Sequence, residues 1–180
     1  MIAIILIVLI PILVIAISIS IFSFVRAFIN RISFYKQINK ICKTKNYKIT
    51  FPRKLLASFF RYSKKPDILI QTPNENYMLR FITCNDNSLF YNFPSPEWYV
   101  SFTRILSLPI NPTGRFKHLP PFNKEYYSKN DNIENKCIMI FAPCLPKISY
   151  LKDSNAKREL AGATIQIDQW TIYKSSEFII

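Results

Sequence analysis

The chain opens on twenty-five residues, MIAIILIVLIPILVIAISISIFSFV, without one charged side chain. A helix built from this run is apolar on every side, the pattern of a segment that faces lipid. At ~1.5 Å per residue it reaches roughly 37 Å, against a hydrocarbon core of about 30 Å. No base precedes the run and no small-x-small cleavage site follows it, so a transmembrane anchor is expected rather than a cleaved signal peptide. Pro11 falls in mid-span and predicts a kink there.

After the run the pattern becomes periodic. Phe28, Ile32, Tyr35, Ile38 and Cys42 recur at steps of three and four, so an amphipathic helix is expected over 26–43. PRKLLASFFRY, residues 52–62, predicts a second helix with Leu55, Leu56, Phe59 and Phe60 on its apolar side. Residues 67–72 and 77–84 read as strands joined by the turn PNEN, and 88–93 as a third strand. Residues 98–106 suit strand or helix. Residues 108–135, rich in proline and polar side chains, read as a long irregular excursion. CIMIFA, 137–142, is a buried-type strand, and 163–173 alternates as one or two strands. The fold class expected is α+β, with mixed α/β as the alternative. The organisation expected is an anchor over 1–25, a basic juxtamembrane helix and linker over 26–50, and one small mixed-sheet domain over 51–180.

Charge adds an orientation. Residues 26–65 hold twelve Lys or Arg and no acid, while 66–180 hold twelve bases and all eleven acids. Of the net charge of +13, all but one unit therefore belongs to the segment beside the span. The positive-inside rule then places the N-terminus outside and the C-terminal domain in the cytoplasm. Arg26, Arg31, Lys36, Lys40, Lys43 and Lys45 are expected at the membrane surface, against anionic headgroups. Each base near such a surface contributes about 1 kcal/mol. Phe34, Tyr35 and Tyr47 among the bases also suit nucleic acid, but the location beside the span explains the charge without it.

Composition then removes chemistry. Two glycines, Gly114 and Gly162, are too few for phosphate loops, dinucleotide fingerprints or a nucleophile elbow. A single histidine, His118, excludes multi-histidine metal sites. Cys42, Cys84, Cys137 and Cys144 show neither a disulfide framework nor metal spacing, which suits reduced thiols. Cys144, in FAPCLP, has no neighbour that would activate it. Glu97, Trp98, Asp168 and Trp170 could line a pocket, although aromatics beside a strand-end acid more often belong to a core.

One stretch has the outline of a site. In KKPDILIQTPNENYMLRF, Pro66-Asp67 opens one strand and Arg80 lies on the next. With helix, three strands, crossover and strand in that order, residues 52–142 resemble the PD-(D/E)xK restriction-endonuclease-like superfamily. If PNEN is the turn, Leu69 faces Arg80, and Asp67 lies diagonal to Arg80 on one shared face, roughly 7–8 Å away. The resemblance implies two acids holding Mg²⁺ and a lysine that positions the attacking water. Here Met78 stands at the second acid position and Arg80 at the lysine position. Methionine gives Mg²⁺ no hard oxygen, and arginine cannot act as a base. Gln71 offers a neutral oxygen. A degenerate site is therefore expected: Asp67, Gln71 and Arg80 are the catalytic candidates, Asp67 the metal candidate, and an ion pair the simpler role.

The sequence thus points to a single-pass membrane protein with a non-catalytic cytoplasmic binding domain. Lipid headgroups and a protein are its expected partners, and no cofactor is expected. The alternative is a membrane-tethered, Mg²⁺-dependent nuclease or an inactive DNA-binding relative. A domain facing outward behind an uncleaved anchor is a third reading.

Overall fold

The computed structural model describes residues 2–55, 62–84, 88–92, 97–101, 116–143, 145, 147–151, 157–160, 165–167 and 169–180. One helix, α1, spans Ile2–Thr44 and passes through Pro11 without a break in its assignment. It is long and apolar enough to cross a membrane. Its described side chains from Leu9 to Val25 lie on the outside of the fold almost throughout. Ser18 returns its hydroxyl proton to the Val14 carbonyl at 2.8 Å, which satisfies the one polar group this residue adds to an apolar span.

The helix ends in a Schellman cap. Asn46 sits at φ 57°, the left-handed region asparagine tolerates better than most residues. Tyr47 N–H donates to the Cys42 carbonyl at 2.8 Å and Asn46 N–H to that of Lys43 at 3.3 Å. The last-turn carbonyls are thereby satisfied, and Lys43 complements the helix dipole.

Eleven strands follow among the described residues. They are β1 (Lys48–Thr50), β2 (Ile68–Gln71), β3 (Glu75–Cys84), β4 (Ser88–Asn92), β5 (Glu97–Ser101), β6 (Phe116–Leu119), β7 (Glu134–Pro143), β8 (Lys147–Leu151), β9 (Lys157–Leu160), β10 (Ile165–Ile167) and β11 (Trp170–Lys174). A six-stranded mixed sheet has the order β1-β2-β3-β7-β11-β10, and a five-stranded sheet the order β6-β5-β4-β8-β9. The fold is α+β. The centre of each sheet is a parallel pair, β3 with β7 and β4 with β8. Both pairs keep one offset of 59 residues, from Glu75 opposite Glu134 to Asn92 opposite Leu151. The second sheet thus prolongs the pairing of the first.

Strand β7 has a neighbour on each side and is buried on both faces, which is why it reads as unbroken CIMIFA. One face of the larger sheet presents Ile68, Ile70, Leu79, Phe81, Ile138 and Ile140 to Phe34, Ile38 and Cys42 of α1. On the other, Met78, Ile82, Met139, Phe141 and Trp170 meet Trp98 and Val100 of β5 and Leu119 of β6. The tail closes the first layer, with the Phe178 ring 6.3 Å from Phe34 and 5.3 Å from Tyr173.

Several expectations change. Residues 31–42, expected as part of a helix lying at the membrane surface, are helical but supply Phe34, Ile38 and Cys42 to the core. The buried positions are 31, 34, 38 and 42 rather than 28, 32, 35, 38 and 42, because the sheet covers a face rotated from the expected one. Residues 51–55 are not helical, and 56–61 lie outside the described residues. The excursion over 108–135 contains β6 and a 3-10 turn at Lys124–Tyr126. The single expected sheet is two.

The hairpin of β2 and β3 is tighter than PNEN implied. Thr72 N–H donates to the Glu75 carbonyl, and Glu75 N–H to the Thr72 hydroxyl, both at 2.9 Å. Asn76 therefore enters the strand opposite Gln71, and Leu69 lies opposite Met78 instead of Arg80. Buried Asn76 donates to Asn135 Oδ1 and to the Tyr126 carbonyl, each at 2.8 Å, tying β3 to β7 and to the 3-10 turn.

At the same end, the Lys136 ammonium and the Tyr77 hydroxyl both donate to Glu75 and hold its carboxyl below the usual range, the lysine contributing most. This stabilisation is complete above the ordinary carboxylate value of 4.5 and is lost as pH falls through the lower folded value. Glu75→Gln is expected to lower the neutral plateau of a stability–pH curve slightly and to flatten the curve between 4.5 and the lower folded value, so that the two proteins converge in acid. The contact is half-exposed, so the neutral effect stays small. Thermal unfolding of both proteins between pH 3 and 8 checks this.

Candidate functional site

Asp67 is the first acid of the chain, and the fold buries it to 1 % exposure. Its backbone N–H donates to the Leu79 carbonyl at 2.8 Å, just ahead of the β2 ladder. Its carboxylate turns to the helix side of the sheet. Oδ2 accepts from Arg31 at 2.9 Å and from the Phe81 backbone N–H at 2.8 Å. Oδ1 accepts from Arg53 at 2.8 Å. Both guanidiniums are buried with it. The Arg31 guanidinium also lies 5.0 Å from the Phe81 ring centre and 5.7 Å from that of Tyr35.

Three parts of the chain meet at this one carboxylate: α1 through Arg31, the segment after β1 through Arg53, and β3 through Phe81. Arg31 therefore leaves the expected membrane-surface set, because it occupies the same helix face as Phe34 and Ile38 and needs a buried counter-charge. Arg26, Lys36, Lys40, Lys43 and Lys45 are exposed.

Arg80 occupies the opposite side of the sheet and forms no ion pair with Asp67. It is 1 % exposed, and its guanidinium lies 4.6 Å from the Phe122 ring centre and 5.3 Å from that of Trp170. One Nη donates to the Ser63 carbonyl at 2.7 Å, while Nε and the other Nη have no hydrogen-bond partner among the described residues. Burial pushes its pKa down to about 10, against the nearby negative charge of Asp67, so the group stays charged at neutral pH. The expected pairing of Asp67 with Arg80 fails because Asp67 precedes the first ladder residue and escapes strand alternation.

The donor set does not fit Mg²⁺. Asp67 already accepts from two cations and an amide, Met78 is in the core, and Gln71 is half-buried on β2 opposite Asn76. A divalent ion there would meet two guanidiniums before a second carboxylate. Among the described residues no three His, Cys, Asp or Glu side chains cluster to hold a metal.

The remaining candidates disperse. Exposed His118 lies 3.9 Å from a Glu97 oxygen, and its ring is 5.3 Å from Tyr99. Trp98, Trp170 and Cys137 are core residues. Asp168 and Cys144 lie outside the described residues. Arg53, Phe122 and Ser63 gave no signal that sequence reasoning used. One signal was there for Arg31: a base on a helix face otherwise apolar at 34, 38 and 42 requires an acid, and none precedes Asp67.

No protein family model, curated protein or solved structure matches this chain.

Proposed function

We propose that this is a single-pass membrane protein whose cytoplasmic domain is a non-catalytic binding module, held rigidly against the inner leaflet. The Arg31–Asp67–Arg53 cluster carries the reading. The one acid at the expected catalytic position is consumed in joining the membrane helix to the sheet. An anchor that continues into a domain's core, with no linker between, fixes the height and orientation of that domain. Such a tether suits a module that recognises something at the membrane surface better than one that searches the cytoplasm. The exposed bases Arg26, Lys36, Lys40, Lys43 and Lys45 support contact with anionic headgroups on the same side.

Topology tests this directly. Cys42 is a poor native reporter, since it is buried under the sheet. Lys129 is exposed in a loop, so Lys129→Cys offers a better one. A membrane-impermeant maleimide is expected to add label to this variant, beyond the parent chain, only after cells are permeabilised. Added label in intact cells would put the domain outside and overturn the reading. Mg²⁺-dependent cleavage of DNA by the full chain would overturn its non-catalytic part and favour the nuclease alternative.

A further inference from the structure

A groove of 400 Å³ lies where α1 first meets the domain. Asn30, Ser33 and Gln37 form its helix wall, and Lys174, Ser175 and Ser176, at the end of β11, form the facing wall. Phe34 and Ala142 close the floor. The six wall side chains comprise hydroxyls, amides and one ammonium, with no carboxylate. Glu177, the nearest acid in sequence, is exposed and is not part of the lining. Lys174 makes no ion pair among the described residues.

Helix geometry adds a second cation. Residues 26, 30, 33 and 37 follow steps of four, three and four, so they share one face of α1. Arg26 therefore stands one turn, about 6 Å, to the membrane side of Asn30. It is exposed and, like Lys174, has no ion-pair partner among the described residues. Below it the helix is apolar and uncharged to its start. The groove thus lies between two cations that form no ion pair among the described residues, and it is rich in donors. It opens at the level where phosphate groups of a bilayer would stand if the uncharged run spans the hydrocarbon.

We infer that this groove binds the headgroup phosphate of one anionic phospholipid, with Arg26 and Lys174 on the phosphate and Ser33, Ser175 and Ser176 donating to its oxygens. Charge-assisted bonds from two cations suit a phosphodiester that is not neutralised by its own headgroup amine. The inference rests on the membrane-anchored reading, and it turns general surface attraction into a defined site.

The test uses the full chain in detergent micelles, titrated with phosphatidylglycerol and followed by native mass spectrometry. One lipid is expected to bind saturably and more tightly than phosphatidylcholine. Arg26→Gln and Lys174→Gln are each expected to weaken it about five-fold, the share of one base at a phosphate surface. Lys129→Gln, a distant exposed base, is expected to leave it unchanged. Equal affinity in all four proteins would overturn the site, as would equal losses from all three variants. Displacement of the lipid by millimolar glycerol phosphate would overturn the lipid assignment in favour of a soluble phosphoester. Alkaline extraction of membranes carrying the same variants separates the two readings. Release of the parent chain from the pellet would sink the anchor itself, whereas a parent chain that stays in the pellet but binds phosphatidylglycerol no more tightly than phosphatidylcholine would sink only the groove.

Discussion

Replacing Asp67 with alanine is expected to destabilise the domain by about 3–5 kcal/mol, the range for removing one partner from a buried ion cluster. Two guanidiniums would lose their counter-charge while still enclosed by the sheet and helix. The Phe81 N–H would lose its acceptor as well. Asp67→Asn keeps an acceptor for Phe81 but not the charge, so most of the loss should persist. The effect should depend on the partners. In Asp67→Ala combined with Arg31→Met, one orphaned cation is gone, and the double variant should lose less than the sum of the singles. Unfolding in micelles measures the energies, and maleimide labelling of Cys42 measures the consequence for docking. Cys42 is under the same face of the sheet, so its protection should fall when α1 loosens. A loss below about 1 kcal/mol would mean that the cluster does not hold helix to sheet.

Arg80 should respond in the opposite direction. Among the described residues it is a buried cation with one hydrogen bond, two unmade donors and no ion pair. Stacking near Phe122 and Trp170 offsets some of its desolvation, at about 0.5–2 kcal/mol per cation–π contact. Exchange of buried charges for well-packed apolar groups of similar volume is often neutral or stabilising by about 1–4 kcal/mol. Arg80→Met is therefore expected to raise stability, even though the Ser63 carbonyl loses its donor. Arg80→Ala should lower it, since the aromatic neighbours would border a cavity instead of a side chain. The two substitutions remove the same charge and differ only in the space they leave. If both destabilise equally, the charge itself is favourable in that position and the unmade donors are met in solution.

The contrast between these two residues measures how much of the site could be read in advance. Asp67 and Arg80 stood out because Pro-Asp opens a strand and a base lies on the next. Their mutual geometry did not follow from spacing. A hairpin turn shorter by two residues moved the register, and the position of Asp67 ahead of the ladder freed it from strand alternation. Arg53 carries no local pattern, since only the return of the chain after β1 brings it to the carboxylate. Strands β1, β6, β8 and β9 were missed for a related reason. They are three to five residues long, and segments such as KIT and KREL form because an adjacent strand offers them a ladder.

What the sequence determined alone is whatever depends on neighbours along the chain. An uncharged run of twenty-five residues is apolar in any fold, so a helix able to cross a membrane follows from it directly. CIMIFA is buried on both sides wherever it is placed, and the α+β class follows from one long helix and several strand patterns. The tertiary structure decided which charges meet. Arg31 belongs by sequence to the same basic segment as Lys36 and Lys40, yet one is buried on Asp67 and the others are in solvent. The difference is a rotation about the helix axis, and only the sheet that packs against α1 fixes that rotation. Because a buried cation must find an acid and an exposed one need not, that single packing choice separates a structural clamp from a solvent-exposed basic face.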